Sequence, residues 1–261
     1  STLLPEDIAE FAEKNEFKSI FLSDTMTLAG FPPLLAECEG KGIQVIPGAR
    51  LRIIQDLAYR KPAKKELVKE KRNVEWYCRV FAKNIDGLQD LFKLLSLAND
   101  DAHFYKVPRL SWEDVLPVII KGDVIFTTGD IQSIWHCNSK EYHYRDLLAM
   151  IPDHVRVYAE LVPIDSPLFK RLNSEAINWA NDAFARNKFG GYSPRFITHM
   201  PALYNEGCAD ALDVLHTITN NKKIADASTR LIPHWRNLHL RNDILSQNKA
   251  IPNIAHPVAI N

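Results

Sequence analysis

Two short apolar runs, Ser19-Ile-Phe-Leu22 and Ile43-Gln-Val-Ile46, are the strongest indication of the fold class of this chain. Each run has the length and composition of a buried parallel strand. Each follows a segment of helical periodicity, predicted as a helix over residues 5–14 and over residues 33–39. Helices that alternate with strands across short connections predict βα units around a parallel sheet.

The same alternation continues along the chain. Ser23-Asp24 and Pro47-Gly48 are predicted to end the first two strands. Further strands are predicted over residues 76–82, 123–127, 155–161 and 195–198, and further helices over residues 87–98, 174–186 and 210–219. Six or seven strands alternating with helices indicate an α/β barrel or an open α/β sheet, and the length favours a closed barrel.

The charge of the chain is balanced. Lys and Arg together number 32, as do Asp and Glu, so the formal net charge is zero. A basic domain would favour direct DNA binding, whereas a balanced one favours a role toward other proteins. The segment 60–72 carries seven Lys or Arg and two Glu. It could contact a DNA backbone, but the i,i+4 spacing of Glu66 and Glu70 favours a solvated helix or hairpin arm.

Metal-binding and catalytic motifs of common kinds are missing from the sequence. The four cysteines stand at least 40 residues apart, which predicts reduced, buried thiols of a cytoplasmic protein rather than a zinc knuckle. The nine histidines show no HxH or HxxxH pair, and there is no Gly-rich phosphate loop, GxSxG or HExxH. The chain lacks an initiator Met and a membrane-length apolar run, and we expect it to be part of a longer protein.

Eight local motifs follow one another in the order found in a known family. The most specific is Ala82-Lys-Asn84 followed by Gly87-Leu88 and the helix through Ala98. The others are Ser19 to Thr25, Gly42 to Gly48, Phe104 to Leu110, Val124 to Gly129, Tyr158 to Leu161, Ala209 to Leu215 and His239 to Asn261. In this series the chain resembles the N-terminal polymerase and histidinol phosphatase (PHP) domain of family C replicative DNA polymerases, the DNA polymerase III alpha subunits.

The resemblance implies a fold and a domain division. The fold is the PHP-type distorted (βα)7 barrel, an α/β fold, expected over residues 1–230. Residues 231–261 are expected to form a C-terminal extension leading toward the polymerase palm. An unrelated α/β barrel enzyme is the competing interpretation, but it should not reproduce the ordered motifs.

The resemblance also implies a site of several metal ions, bound by His and carboxylate side chains at the carboxyl ends of the strands. The opening His-x-His pair of the family would lie just before Ser1. At the remaining positions most of the expected ligands are replaced. These positions, the former metal pocket, are Asp24, Thr25, Arg50, Tyr77, Asp130, Glu160, Met200, Ala202 and Leu212.

The replacements predict that the pocket binds no metal and contains no catalytic residues. Arg50 stands where the family has Glu, and a cation repels the metal that a carboxylate would hold. Asp24, Asp130, Glu160 and the nearby His199 are the remaining possible ligands. For these we expect structural roles, with Asp24 capping a helix and Glu160 pairing with Arg50 or another cation.

The sequence therefore predicts a PHP pseudoenzyme that is a structural and protein-binding scaffold in DNA replication, without a cofactor. Its expected partners are the remainder of the polymerase chain, a proofreading exonuclease subunit, and DNA through the parent polymerase, with no membrane. The parent is expected to be a DNA-directed DNA polymerase, a nucleotidyltransferase, whose palm carboxylates lie outside this chain. The alternative is an active metal-dependent phosphoesterase or 3′–5′ exonuclease whose first His motif lies upstream of residue 1.

Overall fold

The computed structural model describes residues 3–60, 73–130, 132–162, 167–185 and 195–198, with isolated positions between 210 and 218. The elements in chain order are α1 (Pro5–Lys14), β1 (Ser19–Thr25), α2 (Phe31–Cys38), β2 (Gln44–Ile54), β3 (Glu75–Ala82), α3 (Ile85–Leu97), α4 (Trp112–Lys121), β4 (Val124–Thr127), α5 (Tyr144–Ala149), β5 (Val157–Leu161), α6 (Pro167–Ala185) and β6 (Arg195–Thr198). A short 3-10 helix, Ile134–His136, lies between β4 and α5. The α/β prediction is confirmed.

The strands form one curled sheet, a half-barrel, in which the spatial order is the chain order from β1 to β6. The pairs β1/β2, β4/β5 and β5/β6 are parallel, whereas β3 is antiparallel to both of its neighbours. The other five described strands therefore share one direction. Their carboxyl ends meet at one edge of the sheet, and β3 begins at that edge.

The reversed direction of β3 departs from the predicted all-parallel sheet. β2 continues to Ile54, which pairs with Glu75 at the start of β3. The connection from β2 to β3 therefore begins and ends at the same edge of the sheet, so that β3 runs back along β2. The apolar composition of β3 is that of a buried strand and carries no information about direction.

The first two strands are longer than predicted. β1 runs through Ser23-Asp24 to Thr25, and β2 runs through Pro47-Gly48 for 11 residues. Pro47 pairs with β1 but lies one residue before the β3 register begins, where a missing N–H is tolerated. Gly48 is required by packing, because a Cβ there would lie 2.2 Å from Cδ1 of Phe81.

Two helices were not predicted, and α6 begins earlier than predicted. α4 starts at a capping box in which Ser111 and Asp114 bond reciprocally, a signal that the sequence Ser-Trp-Glu-Asp does contain. The short α5 follows His143, whose Nδ1 accepts a hydrogen bond from the amide of Arg145. The predicted helix over residues 210–219 lies mostly outside the described residues. The seventh strand and the division at residue 230 stay predictions.

The two faces of the sheet differ in chemistry. One face packs on helices α3 to α6 in the main core, which includes Leu51, Trp76, Cys78, Val80, Leu91, Trp112, Val115 and Phe126. A smaller core joins α1, α2 and the start of β2. The opposite face, here called the inner face, carries the edge-to-face rings of Phe21 and Phe81, 5.2 Å apart. Toward the carboxyl edge the inner face becomes polar.

Candidate functional site

A row of residues in mutual register crosses the sheet near its carboxyl edge. Thr25 of β1 pairs with Arg50 of β2, Arg50 pairs with Arg79 of β3, and Arg79 pairs with Thr127 of β4. Thr127 in turn pairs with Tyr158 of β5. Residues in register across a sheet project from the same face. The strands therefore place two arginines side by side on the inner face.

Arg79 is the centre of this site. Its Nη2 donates to Asp130 Oδ2 at 2.7 Å, its Nη1 donates to Glu160 Oε2, and its Nε donates to Ser23 Oγ at 3.1 Å. Arg79 is 3% exposed and its two carboxylate partners are nearly as buried. A guanidinium has a fixed fork of donors, so one side chain joins β1, β3, β5 and Asp130 in the loop that follows β4.

Glu160 is bound on both of its oxygens. Oε2 accepts from Arg79 and Oε1 accepts from the hydroxyl of Thr127. The amide of Glu160 also donates to Thr128 Oγ1 at 3.1 Å. The prediction that Glu160 pairs with a cation therefore agrees with the structure, and the cation is Arg79 rather than Arg50.

Arg50 completes the charge balance from the rim of the site. Its Nε lies 3.9 Å from Asp130 Oδ1, and its guanidinium carbon lies 3.8 Å from the centre of the Tyr77 ring. The hydroxyl of Tyr77 donates to Glu75 Oε1 at 3.0 Å. Two arginines thus face two carboxylates, and the aromatic ring fixes the outer arginine through a cation–π contact.

Burial changes the proton affinities of these groups. Burial raises the pKa of Glu160; the Arg79 guanidinium opposes this rise, and the Asp130 carboxylate adds to it. Burial lowers the pKa of Arg50, and Asp130 opposes that change. Burial would lower the pKa of Arg79 as well, but the charges of Asp130 and Glu160 outweigh it and raise that pKa. Arg79 is therefore a permanent positive charge in a nearly dry site.

Burial also raises the pKa of two neighbouring side chains that could otherwise act in catalysis. The thiol of Cys78 is completely buried and its pKa is strongly raised. The pKa of the Tyr77 phenol is raised by burial and by the charge of Glu75. Neither group supplies an activated nucleophile, because nucleophilic catalysis needs a lowered pKa or an adjacent base.

Asp24 lies apart from this cluster. Successive residues of a strand point to opposite faces, and Ser23 is the residue that contacts Arg79. Asp24 Oδ2 accepts from the amide of Gly30, which is the N-cap residue of α2, at 3.2 Å. A Cβ at Gly30 would lie 2.4 Å from that oxygen, so a larger residue there would displace the Asp24 carboxylate. The sequence predicted that Asp24 caps a helix; in the structure its carboxylate contacts the amide of the N-cap residue rather than an amide of the first turn of α2.

The remaining predicted positions are only partly described. Thr25 is exposed at the end of β1, in register with Arg50. Met200, Ala202, Leu212 and the nearby His199 lie outside the described residues. The structure therefore brings together Arg50, Tyr77, Asp130 and Glu160.

The donor set of the site does not fit a divalent cation. Within the described parts of the chain, no three His, Cys, Asp or Glu side chains are grouped so that they could hold a metal ion. The two carboxylates that are present, Asp130 and Glu160, are both bound to Arg79. A hard cation needs several free oxygen ligands, and here a guanidinium occupies the position between them.

The sequence prediction missed Arg79, together with Ser23 and Thr127. A signal was available in the strand Glu75-Trp-Tyr-Cys-Arg-Val-Phe-Ala82, where an arginine interrupts a buried apolar run. Arginine is almost never fully buried unless it is paired. A buried acidic partner elsewhere in the chain could have been expected from that rule alone.

Comparisons with known proteins found one matching domain family and one similar curated protein. The family model of the PHP domain matches residues 1–190. A curated relative, DNA polymerase III subunit alpha of Yersinia pestis, is 28% identical in an alignment of 251 positions that covers 90% of this chain and 20% of the relative. The chain thus spans about a fifth of the length of that relative.

Two solved structures align with this chain at low similarity. A metal-dependent phosphoesterase from Bifidobacterium adolescentis aligns with a TM-score of 0.38 at 14% identity, over 68% of this chain and 79% of the other. An amidohydrolase from Chromobacterium violaceum aligns with a TM-score of 0.40 at 9% identity, over 71% of this chain and 79% of the other.

Proposed function

The chain belongs to the PHP domain family, and from this premise we propose that it is a catalytically inactive PHP domain that serves a family C DNA polymerase as a structural and protein-binding scaffold. It is related to the alpha subunit of DNA polymerase III. DNA synthesis would be the activity of the whole parent chain and not of these residues.

One observation carries the proposal: Arg79 occupies the position between the strand-end carboxylates. Asp130 and Glu160 both form ion pairs with this guanidinium. Arg50 adds a second cation, whose Nε lies 3.9 Å from Asp130 Oδ1. A metal-dependent hydrolase needs its ions to activate water and to stabilise a phosphoryl group. A site filled by fixed ion pairs serves instead to hold four strands of the sheet together.

The partners proposed for this scaffold follow from the relationship to the alpha subunit. The first is the remainder of the polymerase chain, because the related polymerase is about five times longer than the matched region. A proofreading exonuclease subunit is the second proposed partner.

Among the described residues no helix is long and apolar enough to cross a membrane.

Metal analysis combined with a hydrolysis assay tests the proposal. The chain is incubated with Mn²⁺ or Zn²⁺, desalted and analysed by mass spectrometry for bound metal. It is then assayed on a phosphodiester and on labelled single-stranded DNA, with and without chelator. We expect substoichiometric metal and no chelator-sensitive hydrolysis.

A version extended upstream of residue 1 is the necessary second arm, because the family's first His motif would lie there. The matched control is the same extended chain with Asp130→Asn and Glu160→Gln, which removes the two carboxylates of the site. Two or more ions per chain and hydrolysis that is lost in this control would overturn the proposal. That outcome would support the metal-dependent phosphoesterase or 3′–5′ exonuclease instead.

A further inference from the structure

A second cluster of cations surrounds Tyr105, in the segment between α3 and α4. The guanidinium carbon of Arg60 lies 5.0 Å from the centre of the Tyr105 ring, and that of Arg109 lies 5.3 Å from it. Lys106 Nζ lies 5.3 Å from the same centre. Arg60 and Lys106 are exposed, while Arg109 is buried beneath them. We call Arg60, Phe104, Tyr105 and Lys106 the Tyr105 surface.

Within the described residues, no ion pair neutralises the positive charge of this cluster. Arg109 donates to the carbonyls of His103, Tyr59 and Leu57 at 2.8, 3.1 and 3.0 Å. Arg60 donates to the carbonyls of Leu57 and Tyr59 as well. Neither arginine nor Lys106 forms a salt bridge with a carboxylate among the described residues. Hydrogen bonds to neutral carbonyls leave the positive charges in place, so the cluster can attract an anion.

The backbone holds Lys106 in an unusual conformation. Its φ is +63°, in the left-handed region that residues other than glycine seldom adopt. The amide of Tyr105 donates to the carbonyl of Val107 at 3.2 Å, which closes a tight turn with Lys106 at its tip. Strained positions of this kind occur often at binding sites, where the side chain has a role that glycine could not perform.

An exposed aromatic residue precedes this turn in the chain. Phe104, adjacent to Tyr105 in sequence, is 44% exposed. We propose that the Tyr105 surface binds single-stranded nucleic acid, with Arg60 and Lys106 on the phosphates and Phe104 stacked on a base. Grooves that bind single strands combine cations along the backbone with aromatic rings under the bases. An acidic protein segment would use the same cations, and the poly-glutamate arm of the test below distinguishes it from a single strand.

This inference is independent of the proposed scaffold role, since it concerns another surface and holds for an active or an inactive strand-end site. The balanced net charge of the whole chain limits the interaction to a weak, local contact. Such a contact would guide a strand that the parent polymerase already holds.

Fluorescence anisotropy with a short labelled oligothymidylate at low salt tests the inference. The double variant Arg60→Gln/Lys106→Gln should weaken binding at least about fivefold. It should also reduce the salt slope by about 1.4, at about 0.7 per lost phosphate contact on a single strand. The matched control is Lys18→Gln/Lys140→Gln, which removes two exposed lysines elsewhere and should leave affinity nearly unchanged.

Two further variants separate the surface from a general effect on folding. Lys106→Gly relieves the strained conformation and should keep the thermal midpoint at or above that of the wild type while it weakens binding. Phe104→Ala should weaken binding by about fivefold or more through lost stacking. Equal loss in the control pair, or no measurable binding by the wild type at low salt, would overturn the inference. Equally tight binding of poly-glutamate through the same residues would identify an acidic protein as the partner instead.

Discussion

At the scale of single residues, Arg79 is the side chain on which the strand-end site depends. It is the shared cationic partner of two buried carboxylates, and both of its ion pairs are shielded from water. Removing one partner of a buried ion pair leaves an uncompensated charge, which costs more than the pair itself contributes. The Arg79→Met variant retains much of the packing volume and removes only the charge and the donors.

We expect Arg79→Met to lower the free energy of unfolding by about 3–5 kcal/mol. Urea denaturation followed by circular dichroism measures the change. The control is Arg145→Met, because Arg145 forms an ion pair with Asp182 that is 41% and 47% exposed. Exposed pairs contribute about 0–1 kcal/mol, so this control should change little. Similar values for the two variants would show that the Arg79 cluster has no special structural role.

The loss of stability in Arg79→Met should depend on pH in a defined direction. Burial already raises the pKa of Glu160, and loss of Arg79 removes the charge that opposes this rise. A carboxyl whose pKa is higher in the folded than in the unfolded state binds more protons when folded, so stability falls as pH rises through the folded pKa. We expect the deficit of Arg79→Met to be smaller at pH 5 than at pH 7.5, measured by paired urea titrations. A deficit that grows on acidification would contradict the assignment of the buried charges.

Contacts between individual side chains were the features that the sequence predicted least well. Motif positions predicted Arg50 and Tyr77 at positions where the family has metal ligands, but they did not predict that Arg79 pairs with the two carboxylates. Arg79 contacts Asp130 and Glu160, which lie 51 and 81 positions further along the chain. Such contacts depend on register, and register follows from the folded sheet rather than from local pattern.

At the scale of elements, the start of α3 shows how a helix is fixed to the sheet. Asn84 caps α3 by accepting from the amide of Gly87 at 2.9 Å, and its Nδ2 donates to Asp123 Oδ1 at 2.9 Å. A Cβ at Gly87 would lie 2.1 Å from the carbonyl oxygen of Asp123. Helix and connection therefore touch backbone to backbone, and only glycine permits this approach.

We expect Gly87→Ala to destabilise the protein by about 1–3 kcal/mol, the usual cost of overpacking. Helix propensity alone would predict the opposite sign, because alanine is favoured over glycine by about 1 kcal/mol within a helix. Thermal unfolding of Gly87→Ala beside the exposed control Ser96→Ala on the same helix measures the difference. A stabilised Gly87→Ala would show that Asp123 moves away at little cost.

The capping box of α4 gives a second prediction at this scale. Ser111 Oγ accepts from the amide of Asp114 at 3.3 Å, and the amide of Ser111 donates to Asp114 Oδ2 at 2.7 Å. Ser111→Ala should cost about 0.5–2 kcal/mol, as expected for loss of an N-cap. Ser96→Ala is again the matched control, since it removes a hydroxyl from an exposed helical position. Equal midpoints for the two variants in urea would contradict a capping role.

Elements were predicted well wherever periodicity was strong, and poorly where the ends depended on partners. Helix α1 and strand β6 have the predicted bounds. Pro47-Gly48 looked like a strand end because both residues disfavour strands, yet pairing with β1 and the ring of Phe81 keep β2 extended there. Tertiary packing therefore outweighed the local preference.

At the scale of the whole molecule, the balanced charge sets the expected behaviour toward DNA. Lys and Arg equal Asp and Glu in number, so non-specific binding would release few counterions. The strand-end arginines do not add to an external positive surface, because they are paired with Asp130 and Glu160.

The α/β class followed from the sequence because alternating elements are a property of the whole chain. The direction of β3 did not follow from the sequence, because the local sequence pattern of a strand does not encode its direction.

The scaffold proposal therefore predicts weak binding of duplex DNA at physiological salt. Cations of the Tyr105 surface contact few phosphates, and a duplex offers no unstacked base to Phe104, so affinity should be weaker than for a single strand. We expect a Kd at or above about 10⁻⁴ M in about 150 mM salt, the weak end of non-specific binding. Anisotropy with a labelled hairpin measures it, and the Arg60→Gln/Lys106→Gln variant is the internal control. A Kd below about 10⁻⁶ M with a steep salt slope would mean that the domain is itself a DNA-binding module, and that a scaffold held by protein contacts is the wrong description.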